Sequence, residues 1–552
     1  MDAMVFDQKM LLFNKFILKN KTNIFKYMCG IVCLIQYGSK SIDADLTASC
    51  LNKLSSRGPD KSSSYSIDLG VTKIFMGFAR LAIMDTSILG QQPFVDNDNV
   101  VICNGEIYNY KDIIEKYNII TRSNCDCEVI LPLYEEIGFH QMTMEIDAEF
   151  AMILYDSRKN VIYAARDRFG VRPLYYGYNR QTEMIGFASE MKVLHDCMEF
   201  VDHVSPNEIM MINPDNFEIT INEYDYVYTM HSGFSDIREL LISAVRKRLS
   251  SDVPIGFLLS GGLDSSLIVS IAARILGPDK ITCFSIGLEG SPDVEAAKKV
   301  VKYLEITKHH IIPFSVIQGL AMIPDVIKSI ESYDITTIRA STPQYIMANY
   351  IKTNTNIKVL LSGEGSDEIH GSYKYFRNAP CPEDFHEERT RLLEELYMFD
   401  NLRTDRTMAN FGLEVRVPFL DIEYVTYVMG IDPSLLMYHV GYMEKKILRD
   451  SFKGYLPDEI LYRPKEAFSD AVSSAAVNWY HSIIEHANKQ IYDKKFYINK
   501  PESNEALYYR NIFDEIYPGR DNIIKHYWMP RLQNTKITDP SATILSELGS
   551  SL

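Results

Sequence analysis

Several features are scarce in this sequence, and each scarcity removes a class of protein. No apolar run is long enough to span a bilayer. Positive charge is in deficit, because 57 lysines and arginines face 73 aspartates and glutamates and the formal net charge is −16. This balance argues against nucleic acid or an anionic membrane as the main partner. Any anionic substrate must therefore be met by local clusters of positive charge.

The sequence also lacks a disulfide framework and a zinc-ligand pattern. Nine cysteines, an odd number, are scattered along the chain, which predicts a reducing compartment and hence a cytoplasmic location. Cys125 and Cys127 do not have a zinc-ligand spacing, and no second pair completes a tetrahedral site. No internal repeat or low-complexity segment is visible. With 552 residues the chain exceeds one ordinary core, so two or more domains are expected.

Residues 1–28 form an extension that fits no targeting segment. Their apolar clusters are interrupted by Asn14 and Lys15, and no small-residue cleavage site follows, which argues against a secretory signal. Lysines and aspartates without arginine also fit a transit peptide poorly. We expect this extension to be a mis-assigned start or a propeptide.

The remaining chain divides into two halves of different character. Short apolar segments within 29–228 predict strands, and two longer helical patterns among them indicate an α+β sandwich. A connection containing Pro, Asn and Asp is predicted at 203–235. Strands and helices then alternate through 236–530, which predicts an α/β domain with a parallel, doubly wound sheet. A polar tail is expected at 531–552.

The most specific stretch reads Ser-Gly-Gly-Leu-Asp-Ser-Ser over residues 260–266. A strand pattern precedes it and a helical pattern follows, so backbone N–H groups and a helix N-terminus converge on one anion site. The lysine of the common phosphate-binding loop is missing, and Asp264 stands in the loop instead, which implies Mg²⁺ between this carboxylate and phosphates. A purely structural glycine turn is the alternative. The candidate ATP-binding residues here are Leu259, Ser260, Gly261, Gly262, Asp264 and Ser265.

This stretch resembles the pyrophosphate-binding loop of the ATP-pyrophosphatase family, whose members cleave ATP to AMP and pyrophosphate to adenylate a substrate. Downstream, Ile286 ends a strand and is a candidate to hold adenine through its backbone. Ser362, Gly363 and Glu364 follow another predicted strand and extend the candidate ATP site.

Asp264 and Asp367 form the predicted Mg²⁺ pair. The candidate positive charges for phosphate and carboxylate groups are Arg339, Lys445 and Lys465. The plainer alternatives are a solvated acidic turn and ordinary surface lysines.

Five stretches of the first half form a second group: Met28-Cys29-Gly30, Arg57-Gly58-Pro59-Asp60, Phe78–Asp85, Asn104–Asn109 and Cys125–Glu128. Each has a plain alternative. Cys29 alone is a small buried cysteine, Asn104-Gly105 is typical of a hairpin turn, and Asp126 could cap a helix.

In this order the five stretches resemble the glutamine amidotransferase domain of the N-terminal-nucleophile class. The resemblance implies that Cys29 attacks glutamine, with Asn104 and the backbone N–H of Gly105 as oxyanion donors. Arg80 would bind the glutamine carboxylate and Asp126 its ammonium group. The other implied pocket residues are Leu81, Ala82, Ile83, Met84 and Glu106.

In this class the base is the free α-amine of the cysteine, whose pKa of about 7.7–8.0 suits proton exchange near neutrality. Residues 1–28 conflict with that role, because they precede Cys29. Translation from Met28 with removal of Met, cleavage of a propeptide, or loss of glutaminase activity would each resolve the conflict. We favour the Met28 start, because this methionine lies directly before the cysteine.

The two groups of motifs resemble glutamine-dependent asparagine synthetases over residues 29–545. The resemblance implies an N-terminal-nucleophile glutaminase sandwich followed by an ATP-pyrophosphatase-type synthetase domain. The implied reaction converts aspartate, glutamine, ATP and water into asparagine, glutamate, AMP and diphosphate. It proceeds through a thioester on Cys29, transferred ammonia and β-aspartyl-AMP, with Glu364 accepting a proton from the attacking ammonia.

The implied cofactor is Mg²⁺ with ATP, and the implied partners are the small-molecule substrates, without nucleic acid or membrane and with a homodimer allowed. Two alternatives stay open. The same plan amidates or cyclises other carboxylates in β-lactam synthetases, and a regulatory relative would only bind glutamine or nucleotide. The intact Cys29, Asp264, Glu364 and Asp367 argue against the regulatory alternative.

Overall fold

A computed structural model describes residues 29–38, 41–58, 60–223, 228–438, 443–464, 473, 477–492, 494–532 and 539–540. The extension at 1–28 and the candidate cation Lys465 lie outside the described residues. Within the described part, no helix combines the length and the apolar character needed to cross a membrane.

The first half contains two antiparallel six-stranded sheets. Its strands are β1 (Gly30–Tyr37), β2 (Lys61–Asp68), β3 (Thr72–Arg80), β4 (Phe94–Asp96), β5 (Asn99–Ile107), β6 (Ala148–Asp156), β7 (Val161–Arg166), β8 (Tyr175–Asn179), β9 (Met184–Ala188), β10 (Phe200–His203), β11 (Glu208–Ile212) and β12 (Ile219–Glu223). The strand orders are β10-β8-β9-β1-β3-β2 and β12-β11-β7-β6-β5-β4. Its α-helices are α1 (Ala44–Leu54), α2 (Tyr110–Tyr117), α3 (Ile130–Ile137), α4 (Phe139–Glu145) and α5 (Met191–His195).

The alternation of side chains along each strand explains the layers. In β1, Ile31, Cys33 and Ile35 pack with Ile102 and Ile153 between the two sheets. The intervening residues face the other way and pack against α1, and in the second sheet the outer face of β5 packs against α3 and α4. Because successive strand residues point to opposite faces, each sheet is buried on both sides. The predicted α+β sandwich is confirmed as a helix–sheet–sheet–helix arrangement.

One local expectation for this half is wrong, and one of the plain alternatives is excluded. The segment 203–235, predicted as a connection, contains β11 and β12, which extend the second sheet. Asn104-Gly105 does not form a hairpin turn, because both residues lie within β5 and pair with Ala151 and Phe150 of β6. The flanking apolar runs belong to one continuous strand, so tertiary pairing overrides the turn signal.

The second half is built on a five-stranded parallel sheet, as predicted. Its strands are β13 (Ile255–Leu258), β14 (Thr282–Gly287), β15 (Lys308–Pro313), β16 (Val359–Leu361) and β17 (Glu414–Arg416), in the order β15-β14-β13-β16-β17. Its α-helices are α6 (Ile237–Arg248), α7 (Leu263–Leu276), α8 (Pro292–Tyr303), α9 (Val316–Ile330), α10 (Ile335–Asn354), α11 (Ser366–His370), α12 (Pro382–Glu395), α13 (Asp400–Ala409), α14 (Ile422–Gly430), α15 (Lys446–Ser451), α16 (Asp458–Leu461), α17 (Trp479–Ala487) and α18 (Asn504–Ile516). The 3-10 helices of the chain are Ile88–Gly90, Asp126–Val129, Pro278–Lys280, Lys374–Asn378, Leu396–Met398, Pro418–Leu420 and Pro433–Leu435.

The order of the parallel strands positions a ligand site. The chain proceeds from β13 through β14 to β15 on one side, and then returns to the other side of β13 for β16 and β17. The loops after β13 and β16 therefore leave the ends of neighbouring strands in opposite directions. In open α/β sheets, this reversal of strand order is called a switch point, and it forms the binding crevice. These are the loops that carry residues 260–266 and 362–365.

Candidate active sites

An open cleft of about 1140 Å³, open solvent included, lies at this switch point. Its polar and charged lining residues are Ser260, Asp264, Ser265, Ser285, Asp293, Gln344, Ser362, Glu364, Asp367, Arg403, Lys445, Arg449 and Arg463. Its apolar lining includes Phe284, Ile286, Val294 and Met347, so the cleft offers apolar surface for a flat ring beside its charged groups.

The loop after β13 folds as the motif predicted. The N-terminus of α7 follows directly at Leu263, with Gly262 as its cap. The Ser260 and Ser265 hydroxyl oxygens lie 2.9 Å apart, which ties the loop to the first turn of the helix. Of the predicted ATP-binding residues, the cleft is lined by Leu259, Ser260, Gly262, Asp264, Ser265, Ile286, Ser362 and Gly363.

Gly261 does not line the cleft and faces α8 instead. Its φ is +81°, and a Cβ there would lie 2.5 Å from the Asp293 carbonyl oxygen. Glycine is therefore required for the close approach of the loop to α8, and its role is in backbone geometry.

Asp264 and Asp367 converge on one position, where Lys445 now lies between them. The Lys445 Nζ is 2.7 Å from both oxygens of Asp264 and 2.7 Å from Asp367 Oδ1. The Ser366 hydroxyl donates to Asp264 Oδ1 at 2.7 Å and orients this carboxylate. The two aspartates thus form one cation-binding position on the wall of the cleft.

This donor set fits Mg²⁺ bound together with phosphates. Among the described residues, no group of three or more His, Cys, Asp or Glu side chains could hold a metal ion alone. Mg²⁺ usually takes only one or two carboxylates and completes its shell with water and substrate phosphates. Two carboxylates facing the cleft match that habit, provided that the Lys445 ammonium moves aside.

Glu364 is held in the cleft by an arginine that the sequence analysis did not identify. The Arg403 Nη2 lies 3.0 Å from Glu364 Oε2, and its Nη1 donates to Gln344 Oε1 at 3.1 Å. Asp400 binds the same Nη2 at 2.6 Å. Burial alone would lower the pKa of Arg403, but the carboxylates of Glu364 and Asp400 outweigh it and raise this pKa.

Arg339, a predicted cation for phosphate and carboxylate groups, lies in a buried ion-pair cluster. Its guanidinium binds Glu505 Oε2 at 2.5 Å and Asp539 Oδ1 at 3.1 Å, and it lies outside the lining of the cleft. With an exposed fraction of 1%, this cation needs its own carboxylates. Arg449 and Arg463 line the cleft in its place.

Cys29 lies at the start of β1, between the backbone groups of Leu81. The Leu81 N–H donates to Cys29 Sγ at 3.3 Å, and the thiol lies 3.4 Å from the Leu81 carbonyl oxygen. Burial raises the pKa of the Cys29 thiol to about 12, although the backbone hydrogen bond from Leu81 acts to lower it. Glu414, Cys125 and Glu106 add smaller increases. A thiol in this state needs a nearby base to become a nucleophile.

A donor without a partner among the described residues lies in β5, a strand of the other sheet. Asn104 has an exposed fraction of 1%, and its Nδ2 has no hydrogen-bond partner among the described residues. A buried amide donor is costly unless a ligand satisfies it, so this N–H is available to an oxyanion. At Gly105 a Cβ would lie 2.4 Å from the Glu149 carbonyl oxygen, which explains the glycine.

Two buried carboxylates follow in the same region. Glu106 pairs with Arg416 at 3.0 Å, and burial raises the pKa of Glu106 despite this partner. Asp126 Oδ2 accepts the Ile107 N–H at 2.7 Å, and burial raises the pKa of Asp126 to about 6. Asp126 is not the helix cap of the alternative interpretation, since Cys125 occupies that position.

Arg80 and the loop after it surround this pocket. The Arg80 Nη1 donates to the Ser87 carbonyl oxygen at 2.5 Å, and its Nη2 donates to the Asp85 carbonyl oxygen. The predicted pocket residues Leu81, Ala82, Ile83 and Met84 form the start of this loop. The loop is docked on the second half, where Asp252 Oδ2 accepts the Asp85 N–H at 2.9 Å.

Comparison with known proteins bears on both halves. The family described as glutamine amidotransferase domain matches residues 28–247, and the family described as asparagine synthase matches residues 236–387 and 380–539. A probable glutamine-hydrolysing asparagine synthetase of Acanthamoeba polyphaga mimivirus is 58% identical, over 94% of this chain and 100% of that protein. The chain belongs to the asparagine synthetase family.

Animal members of the asparagine synthetase family are also similar to this chain over most of its length. The glutamine-hydrolysing asparagine synthetase of Cricetulus griseus is 39% identical, over 94% of this chain and 99% of that protein. The corresponding protein of Homo sapiens is 37% identical, over 95% of this chain and 100% of that protein. The predicted two-part fold class is thereby confirmed.

Three arginines of this asparagine synthetase family member had no predicted role. Arg57 lies in a quoted stretch, Arg416 ends β17, and Arg403 lies in the charged segment that forms α13. An arginine flanked by carboxylates in an otherwise apolar environment is a signal of buried pairing. Its partner, however, lies far away in the sequence, so the motif alone does not name it.

Proposed function

We propose that this protein is a glutamine-hydrolysing asparagine synthetase. The proposed reaction is aspartate + glutamine + ATP + water to asparagine + glutamate + AMP + diphosphate. The observation that carries the proposal is the presence in one chain of two sites. One is a cleft with the 260–266 loop and Glu364, and the other is a pocket with Cys29 and the unpartnered Asn104 amide.

In the pocket of the first half, Cys29 Sγ attacks the amide carbon of glutamine. The oxyanion that develops receives hydrogen bonds from Asn104 Nδ2 and the Gly105 N–H. Ammonia leaves as the thioester forms, and water then hydrolyses the thioester to glutamate and the free thiol. Arg80 and Asp126 bind the two charged ends of glutamine, and Leu81, Ala82, Ile83, Met84 and Glu106 complete the pocket.

The base for this attack is the α-amine of Cys29, which requires that Cys29 be the first residue of the mature protein. The match to the amidotransferase family begins at residue 28, which supports a start at Met28. N-terminal sequencing of active protein from its natural source tests this: intact residues 1–28 on an active glutaminase would contradict the amine as base.

In the cleft of the second half, a carboxylate oxygen of aspartate attacks the α-phosphorus of ATP, and pyrophosphate leaves. The loop at 260–266, with Lys445, binds the pyrophosphate, while Ile286 holds the adenine. Mg²⁺, bound by Asp264 and Asp367, would supply charge neutralisation on the phosphates. Lys445, whose Nζ lies 2.7 Å from both aspartates in this structure, would then move aside and bind the phosphates.

Ammonia attacks the β-aspartyl-AMP, and AMP leaves as the amide forms. The nitrogen must lose a proton, and the Glu364 carboxylate is the proposed acceptor. Its ion pair with Arg403, 3.0 Å away, holds this carboxylate on the wall of the cleft.

The deciding experiment follows ATP, AMP and asparagine together on protein that begins at Cys29. With Mg²⁺, aspartate and either glutamine or ammonia, we expect AMP and asparagine in equal amounts. Glutamate in place of aspartate is the control and should give neither product. AMP without asparagine would favour another carboxylate substrate, and no pyrophosphate under any condition would favour a regulatory relative.

A further proposal concerns the cellular location of the protein. All nine cysteines are free thiols, which is typical of reducing compartments, and we propose a cytoplasmic location. The expected domain boundaries near 228 and 236, the tail at 531–552 and a homodimer stay predictions.

A further inference from the structure

Helix α13 (Asp400–Ala409) contacts both sites. Arg403 extends from it into the synthetase cleft, where its Nη2 lies 3.0 Å from Glu364 Oε2. Asp405 extends toward the first half, where it binds Arg57. Two residues apart on an α-helix point about 200° apart, so opposite faces of α13 serve opposite sites.

The contact with the first half is tight and fully buried. Asp405 binds Arg57 through two parallel bonds, Oδ2 to Nη1 at 2.7 Å and Oδ1 to Nη2 at 3.0 Å. The remaining nitrogen, Arg57 Nε, donates to the Cys29 carbonyl oxygen at 2.9 Å. The exposed fractions of Arg57 and Asp405 are 0% and 3%. The planar guanidinium of Arg57 therefore links Asp405 to the backbone of Cys29, because it is hydrogen-bonded to both.

The other end of the helix responds to what fills the cleft. Arg403, Glu364 and Gln344 all line the cleft, and Arg403 joins the other two by hydrogen bonds of 3.0 and 3.1 Å. A substrate that binds there must share or displace these contacts. Any resulting shift of Arg403 is carried by α13, since residues 401–409 are buried and packed on all sides.

We propose that Asp405 is a positioning residue that couples occupancy of the synthetase cleft to the reactivity of Cys29, through α13 and Arg57. This coupling rests on the proposed function, because it links the two half-reactions. Coupling between sites is reciprocal, so a ligand at Cys29 must also change the affinity of the cleft by the same factor.

The test measures alkylation of Cys29 by 6-diazo-5-oxo-L-norleucine, a diazo-ketone analogue of glutamine. The full chain beginning at Cys29 is used, with and without α,β-methylene-ATP, Mg²⁺ and aspartate. In the natural protein we expect filling of the cleft to change the alkylation rate by about fivefold or more. In Asp405→Asn the change should fall below about twofold, while ammonia-dependent synthesis continues.

Two variants separate positioning from general stability. Glu331→Gln removes a buried carboxylate that pairs with Arg406 of the same helix at 2.9 Å and accepts N–H groups of Met191 and Lys192. The Glu331 carboxylate reaches Arg57 indirectly, through Arg406 and Glu190, whereas Asp405 binds Arg57 directly. This variant should therefore keep the coupling, although it lowers the melting temperature. Asp405→Glu keeps the charge and should recover part of the coupling.

The proposal is overturned if the natural protein alkylates at the same rate with the cleft empty or filled. It is also overturned if Glu331→Gln loses the coupling as fully as Asp405→Asn does. Failure of the proposed function gives a different result from failure of the coupling. In that case the natural protein would form no asparagine from ammonia, whatever the alkylation rates.

Discussion

The synthetase cleft and the glutaminase pocket differ in which parts of the chain build them. Every described residue that lines the cleft lies between Leu258 and Pro464, within the second half. The pocket around Cys29 instead depends on Arg416 and Asp405, which the second half contributes as partners of Glu106 and Arg57. The glutaminase pocket is therefore complete only when the two halves are docked.

The two sites also differ in how charge is stabilised. The cleft charges face solvent-accessible space, where phosphates and Mg²⁺ can replace protein partners. Around Cys29 the charges are buried, and removal of one partner of a buried pair costs about 3–5 kcal/mol because the other charge is left uncompensated. Changes at the interface should therefore affect stability and glutamine use together, while changes in the cleft should affect chemistry alone.

The largest expected effect is at Cys29. Cys29→Ala removes the nucleophile, so glutamine-dependent synthesis should fall by about 10⁴-fold or more. Ammonia-dependent synthesis should continue, since the cleft does not use this thiol; asparagine measured with each nitrogen source checks this. Cys381→Ser is the matched control, because serine keeps the helix cap that Cys381 provides at α12. Loss of synthesis with both nitrogen sources in Cys29→Ala would contradict the assignment.

A comparable change in the cleft should show the opposite pattern. Glu364→Gln removes the proton acceptor, so asparagine formation should fall by about 10²–10⁴-fold with either nitrogen source. Glutamate release from glutamine should remain measurable. The exposed Glu383→Gln serves as control and should leave both activities unchanged. Full synthesis in Glu364→Gln would refute the proposed role.

A smaller effect is expected at the interface itself. Arg416→Met leaves Glu106 and Glu414 without their guanidinium, which lies 3.0 and 2.8 Å away. Stability should fall by about 3–5 kcal/mol in denaturant unfolding. The kcat/KM for glutamine should fall more than that for ammonia. Arg389→Met removes a buried arginine that donates to the Ile369 and Val428 carbonyl oxygens within the second half, and it should affect both nitrogen sources alike. Equal losses in both variants would remove the difference between the sites.

The smallest effect concerns pH. The pKa of Asp126 is about 6 in the folded protein and 3.8 ordinarily, so the stability that this group contributes is lost as pH rises from 3.8 to about 6. Binding of the glutamine ammonium needs the ionised form, so kcat/KM for glutamine should fall by about fivefold between pH 6 and pH 5. Asp126→Asn should weaken glutamine binding and remove this step from the pH profile. A profile unchanged in Asp126→Asn would assign the step to another group.

The local motifs were predictable, because short-range backbone geometry fixes them. The turn at 260–266 follows from a strand, two glycines and a helix start, and Glu364 follows from the same pattern after β16. Gly105 shows the limit of this reasoning, since the Asn-Gly pair that is typical of a hairpin lies within β5. Glycine is required at position 105 because β6 approaches closely, and the local sequence gives no sign of that contact.

The sequence by itself determined the family, the fold class and the loops that bring Ser260, Asp264 and Glu364 to the cleft. The tertiary structure alone decided which cation serves which carboxylate. Arg339 pairs with Glu505 and Asp539, 166 and 200 residues away, whereas Arg403 takes the place in the cleft. The physical reason is that a buried charge must be paired in space, and many arginines in one chain can satisfy that demand. Only the packing of the two halves selects among them.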